Sequence, residues 1–111
     1  MSAFSETLER LVATIAARRD ADPASSYTAK LLSEGPTRAA KKLAEEAVET
    51  ALAAASGDAD HVAAESADLI YHWLVLLAAT GVDLDAVALK LKAREGTSGL
   101  EEKASRGQNP V

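Results

Sequence analysis

Leu8, Leu11, Val12 and Ile15 recur with i, i+3, i+4, i+7 spacing, which places them on one stripe of a helix. The spacing predicts a first helix over about 5–19. Asp20-Ala21-Asp22-Pro23 ends it, because proline disfavours helical backbone in the residue before it. A short helical piece is expected over 26–34, punctuated by Gly35-Pro36. A long helix follows from near Thr37 to about Ser56, and its second half, 47–55, is mostly small residues that let helix axes approach closely. Asp58 or Asp60 can cap the next helix and Gly81 fits its C-terminal end. Asp83 can cap another, over about 84–94, with Leu84, Val87, Ala88 and Leu91 on one face.

The helix after Asp58 is apolar on every side around Trp73-Leu74-Val75-Leu76-Leu77. Such a helix needs cover all round, which three or four helices in one small domain hardly supply. A second copy of the chain is the economical cover, so a homodimer with this segment at the interface is expected. Cover by the short segments of the same chain is the alternative. The expected fold is therefore all-α: an antiparallel bundle of four to five helices completed by homodimerisation.

At 111 residues the chain reads as one small domain, 1–111. From Glu95 the apolar content falls and glycines accumulate, so by composition the segment from 95 reads as a mobile C-terminal tail. Beta-branched residues are scattered rather than clustered as strands would require. A net charge of −5 argues against a general nucleic-acid binder, although a bound cation could still bring in a phosphorylated ligand. The absence of cysteine excludes disulfides and thiolate metal sites. The N-terminus lacks the basic and apolar regions of a signal peptide. The longest apolar run, 73–79, is well short of the roughly 20 residues that span a bilayer. These features make a cytoplasmic protein without membrane partners the expectation.

The chemistry is concentrated in two carboxylate pairs. Glu46 and Glu49 precede the turn at Ser56-Gly57-Asp58, and Glu65 and Asp68 follow it. Each pair has i, i+3 spacing and so shares a helix face. Gly57 is equidistant from Glu49 and Glu65, and from Glu46 and Asp68. If the helices fold back there, Glu46 faces Asp68, Glu49 faces Glu65, and all four meet at one height. Gathered like charges repel unless a cation neutralises them, and Mg²⁺ takes hard oxygen ligands. Glu45 is rotated by about 100° from Glu46 and lies at the edge of that face. His61 and His72 extend the Glu65–Asp68 stripe, as ligands, substrate contacts or hydrogen-bonded structural residues. The plainer alternative is a solvated face, with Lys42 and Glu46 as an ordinary i, i+4 pair.

No phosphate loop of the Gly-x-x-x-x-Gly-Lys type and no Gly-x-Ser-x-Gly occurs. What remains is metal-assisted chemistry on a phosphorylated ligand. Lys41, Lys42, Arg94, Lys103 and Arg106 then become either charge-neutralising contacts of a polyphosphate or mere solubilising surface.

Glu45-Glu46-x-x-Glu49 followed by Glu65-x-x-Asp68 resembles the metal-binding signature of the all-alpha nucleoside triphosphate pyrophosphohydrolase (MazG-like) superfamily. Ser26-Tyr27-Thr28-Ala29-Lys30-Leu31-Leu32, Asp68-Leu69-Ile70-Tyr71-His72 and the tail 96–106 look like those of the phosphoribosyl-ATP pyrophosphohydrolases. The resemblance spans about 4–106. Ala44 stands where that family often has Gly, and Leu100 where it often has Ile; neither position needs chemistry. The resemblance implies hydrolysis of phosphoribosyl-ATP to phosphoribosyl-AMP and pyrophosphate, the second step of histidine biosynthesis, by a homodimer of helical bundles. It implies Glu46, Glu49, Glu65 and Asp68 as Mg²⁺ ligands. Glu45 would be an additional ligand or help to orient the attacking water, and Glu49 or Glu45 would be the catalytic carboxylate that accepts its proton. Lys42, His72, Arg94, Ser98, Lys103 and Arg106 would contact the substrate, with the tail as a lid. Two rival readings remain. One is a MazG-like enzyme clearing non-standard nucleoside triphosphates; the other is a non-catalytic helical dimerisation module.

Overall fold

In a computed structural model, the described residues are 2–96 and 99–106, with 101, 102, 105 and 106 described by backbone alone. They form six helices and no strand: α1 (Ala3–Ala17), α2 (Tyr27–Glu34), α3 (Pro36–Ser56), α4 (Ala59–Thr80), α5 (Leu84–Lys92) and α6 (Gly99–Arg106). The all-α expectation holds. The five helices expected over 5–94 all form, their ends within two residues of the sequence reading. The tail adds a helix that composition did not suggest.

The helix starts follow local chemistry. Ser2, Ser26 and Asp58 each accept backbone N–H groups through their side-chain oxygens, at Ser5, at Ala29, and at Asp60 and His61. Such caps satisfy donors that have no partner within the helix and contribute about 1 kcal/mol each. Asp83 departs from expectation. It occupies the position before α5, but its side chain makes no capping hydrogen bond. Gly35, at φ 89°, ends α2 and hands the chain to Pro36 at the first position of α3. Gly57, at φ 77°, provides the left-handed residue that reverses the chain between α3 and α4.

Residues 1–81 and 82–111 are separate compact units. In the first, α3 and α4 form an antiparallel hairpin. Thr50 ties it at mid-height, its Oγ1 lying 2.8 Å from the carbonyl oxygen of Glu46 and 3.2 Å from that of Glu65. Ala39 and Ala53 are buried on α3, whereas Ala47, Ala51, Ala54 and Ala55 of its small second half are exposed. α2 packs on both α3 and α4, and α1 on α4. The Arg19 guanidinium donates to the Ala78 carbonyl at 2.7 Å, serving one of the last carbonyls of α4. Of the large side chains, Ile15, Leu31 and Val75 are fully buried, with Leu74 close behind. The second unit holds α5 and α6. Leu89, Leu91 and Leu100 are exposed on it.

α4 is long and apolar enough, by length and composition, to cross a bilayer, although the 73–79 run alone is too short. Its Glu65, Asp68 and His72 side chains argue for a core helix instead, because charges within a bilayer are costly.

Candidate metal and substrate site

The reversal at Gly57 decides the site. It brings the Glu46–Glu49 face of α3 against the Glu65 face of α4. One carboxylate oxygen each from Glu46, Glu49 and Glu65 lies within 4.8 Å of the other two. Asp68 is not among these three, but its charge acts on Glu46. Glu49 and Glu65 thus meet as the spacing predicts, while Asp68 lies outside the group of three.

The three carboxylates differ in environment. Glu46 is buried, at 9% exposure, Glu65 is half-buried and Glu49 is exposed. Oε2 of Glu46 and Oε2 of Glu65 are buried without a hydrogen-bond partner among the described residues. Burial first, then the adjoining Glu49, and then the charge of Asp68 push the Glu46 carboxyl above its ordinary value, while His72 opposes them. Two orphaned buried oxygens among converging carboxylates form a donor set that suits a hard divalent cation. His61 flanks the group, with Nε2 3.4 Å from Oε1 of Glu65.

Lys42 pairs with Glu45 at 3.2 Å, rather than with Glu46 as i, i+4 spacing would allow. The hydrogen bond to Lys42, backed by its charge, lowers the proton affinity of Glu45. The same bond raises that of Lys42, and Tyr27 adds to the effect. Glu45 is therefore apart from the converging carboxylates, as its rotation on the helix requires.

His72 lies on α4 at 7% exposure. Nδ1 is 2.8 Å from the Asp68 carbonyl oxygen, and Nε2 is 3.3 Å from the Tyr27 hydroxyl. Both ring nitrogens are thus engaged inside the protein. The Tyr27 ring stacks on Tyr71 and meets His72 edge-on, and Thr28 and Tyr71 share a short hydroxyl–hydroxyl hydrogen bond. Burial pushes the Tyr71 phenol upward. Tyr27 and Thr28 had no separate role in the sequence reading. The one available signal was Ser26, whose cap sets Tyr27 as the first residue of α2.

The remaining residues expected to contact substrate belong to the second unit. Arg94 follows α5, and Lys103 lies exposed on α6. Arg106 ends α6, with its side chain outside the described part; Ser98 lies outside the described residues.

Residues 8–95 match the family described as phosphoribosyl-ATP pyrophosphohydrolase. The chain is 66% identical over 103 residues to the phosphoribosyl-ATP pyrophosphatase of Caulobacter vibrioides, covering 93% of this chain and 95% of that one. It is 57% identical over 108 residues to that of Parvibaculum lavamentivorans, covering 97% and 99%. With that of Methylobacterium radiotolerans it shares 58% identity over 100 residues, covering 90% and 94%.

Proposed function

The chain belongs to the phosphoribosyl-ATP pyrophosphohydrolase family, and we propose that it hydrolyses phosphoribosyl-ATP to phosphoribosyl-AMP and pyrophosphate with Mg²⁺ as its cation. The observation that carries the cation is the pair of partnerless buried oxygens on Glu46 and Glu65, within a cluster completed by Glu49. Glu46, Glu49 and Glu65 would hold the ion, with Asp68 beside them. When bound, Mg²⁺ neutralises phosphate charge and makes phosphorus more open to attack by water.

The protein's own groups supply the rest. Glu49 is the exposed carboxylate of the cluster, and it would accept a proton from the attacking water. Glu45 is the weaker base, because Lys42 already holds its charge. Lys42 would meet the charge that develops on departing pyrophosphate. Lys103 and Arg106 are assigned with Lys42 to the departing pyrophosphate, and Arg94 and Ser98 to substrate binding, on the family resemblance.

Pyrophosphate release from phosphoribosyl-ATP is expected to require Mg²⁺ and to exceed release from a panel of ordinary and damaged nucleoside triphosphates. A preference for the panel would support the house-cleaning alternative, and no Mg²⁺-dependent release from any of them would support the non-catalytic one.

The thin core supports a homodimer as part of this reading. Trp73, Leu76 and Leu77 of α4 keep partial exposure in the single chain, and Val48 and Leu52 of α3 are exposed. Sedimentation equilibrium should give twice the 11.5 kDa chain mass. A monomer at assay concentration would refute this reading.

A further inference from the structure

His61 and Glu65 stand on α4 at i, i+4 spacing, so both side chains leave the same face of one long helix. Nε2 of His61 lies 3.4 Å from Oε1 of Glu65. That is long for a charge-assisted hydrogen bond, which closes to about 2.7–2.9 Å. It is instead the separation of two donors that share an ion. A nitrogen and an oxygen each about 2.1 Å from a tetrahedral cation stand about 3.4 Å apart. The two oxygens of Glu65 also differ. Oε1 meets His61, while Oε2 is buried without a hydrogen-bond partner among the described residues. Glu65 can therefore serve the carboxylate cluster with one oxygen and His61 with the other.

Both donors are carried on fixed backbone. The His61 N–H donates to Oδ1 of Asp58 at 3.2 Å, and the Thr50 hydroxyl donates to the Glu65 carbonyl at 3.2 Å. The His61 side chain is 50% exposed, so water can complete a ligand set there. The plain alternative is a surface ion pair, which contributes little. We propose that His61 and Glu65 form a flanking site for a divalent cation of the Zn²⁺ class, which accepts imidazole nitrogen as Mg²⁺ rarely does. The chain has two histidines and no cysteine, and His72 has both ring nitrogens engaged within the protein. His61 is thus the one open imidazole. The flanking site shares Glu65 with the proposed Mg²⁺ cluster but does not need that ion. Sharing one carboxylate makes the coupling reciprocal, so each cation should weaken the binding of the other.

Zn²⁺ affinity, measured by competition with a chromogenic chelator in saturating Mg²⁺, tests the site. His61→Ala should bind Zn²⁺ at least about tenfold more weakly than wild type, the scale of losing a metal contact. Its Tm response to Mg²⁺ alone should stay unchanged, and circular dichroism checks its folding. Co²⁺ in place of Zn²⁺ should give the wild type the visible absorption of a tetrahedral site, and His61→Ala should lack it. Glu46→Gln, which disables the Mg²⁺ cluster, should keep that absorption. Equal Zn²⁺ affinity in wild type and His61→Ala, or a Co²⁺ spectrum that does not depend on His61, overturns the proposal. A wild type that ignores Mg²⁺ yet binds Zn²⁺ through His61 supports the flanking site and refutes the Mg²⁺ reading alone.

Discussion

Glu49→Gln is expected to lower kcat/KM for phosphoribosyl-ATP by roughly 10²- to 10⁴-fold, the range associated with a positioned general base. Glu49 is exposed, so the amide brings no packing penalty and circular dichroism should show an unchanged helical content. The substitution keeps the size of the side chain and removes its charge and basicity together. Glu45→Gln provides the contrast. Its carboxylate is held by Lys42 at 3.2 Å, so its loss should act only by loosening Lys42. A loss of about tenfold or less is expected there. Pyrophosphate release at saturating Mg²⁺ measures both variants. If Glu49→Gln stays within threefold of wild type, Glu49 is neither base nor ligand. If Glu45→Gln is the more damaged variant, the base has been assigned to the wrong carboxylate.

Glu46→Gln should abolish the Mg²⁺ response and stabilise the protein when no metal is present. Burial and the neighbouring carboxylates raise the proton affinity of Glu46 in the folded state above its unfolded value of 4.5. The folded state therefore binds more protons than the unfolded chain in the window above 4.5. By linkage, stability in EDTA is highest below 4.5 as far as this group is concerned. It falls as pH rises through the elevated folded value. Above that folded value the loss is complete, and relieving one buried, uncompensated carboxylate is worth about 1 kcal/mol or more. For a chain of this size that corresponds to roughly 4–8 °C in Tm. Wild type should regain the difference on titration with Mg²⁺, while Glu46→Gln should not respond. Thermal melts in EDTA and in Mg²⁺ across this pH range test both parts. A wild-type Tm indifferent to Mg²⁺, together with a Glu46→Gln Tm no higher than wild type in EDTA, would remove the cation site.

Much of this site was legible in the sequence because it rests on local rules. Helical spacing placed Glu46 with Glu49 and Glu65 with Asp68, and Gly57 marked the reversal that joins the two faces. Glu45 could be set apart by rotation alone, and its pairing with Lys42 agrees. The stripe was less informative about the polar residues beside the carboxylates. Lys42 had two acidic neighbours within reach, at i+3 and i+4, and spacing does not choose between them. His72 carried the same pattern whether it faced a ligand or the interior. Its burial depends on α2, whose packing against α4 no local rule predicts. Tyr27 was hidden for the same reason, since its partner is 45 residues away in sequence. α6 was missed because glycines and low apolar content argue against a helix, and a short amphipathic segment gives little periodicity to set against them.

The sequence alone determined where α1 to α5 begin and end to within two residues, which carboxylates share a face, and that an antiparallel return would make an acidic cluster. Capping oxygens, proline and left-handed glycine act within a few residues, so the chain itself carries that information. Only the tertiary structure decided how the charges are divided. Glu46 is buried, Glu49 is open to solvent, and Asp68 stands outside the closest three. It also engaged both nitrogens of His72 within the protein, one of them with the hydroxyl of the partly exposed Tyr27. Burial and cross-helix hydrogen bonds depend on which helix lies opposite, and that is a property of the packed hairpin rather than of either strip of sequence.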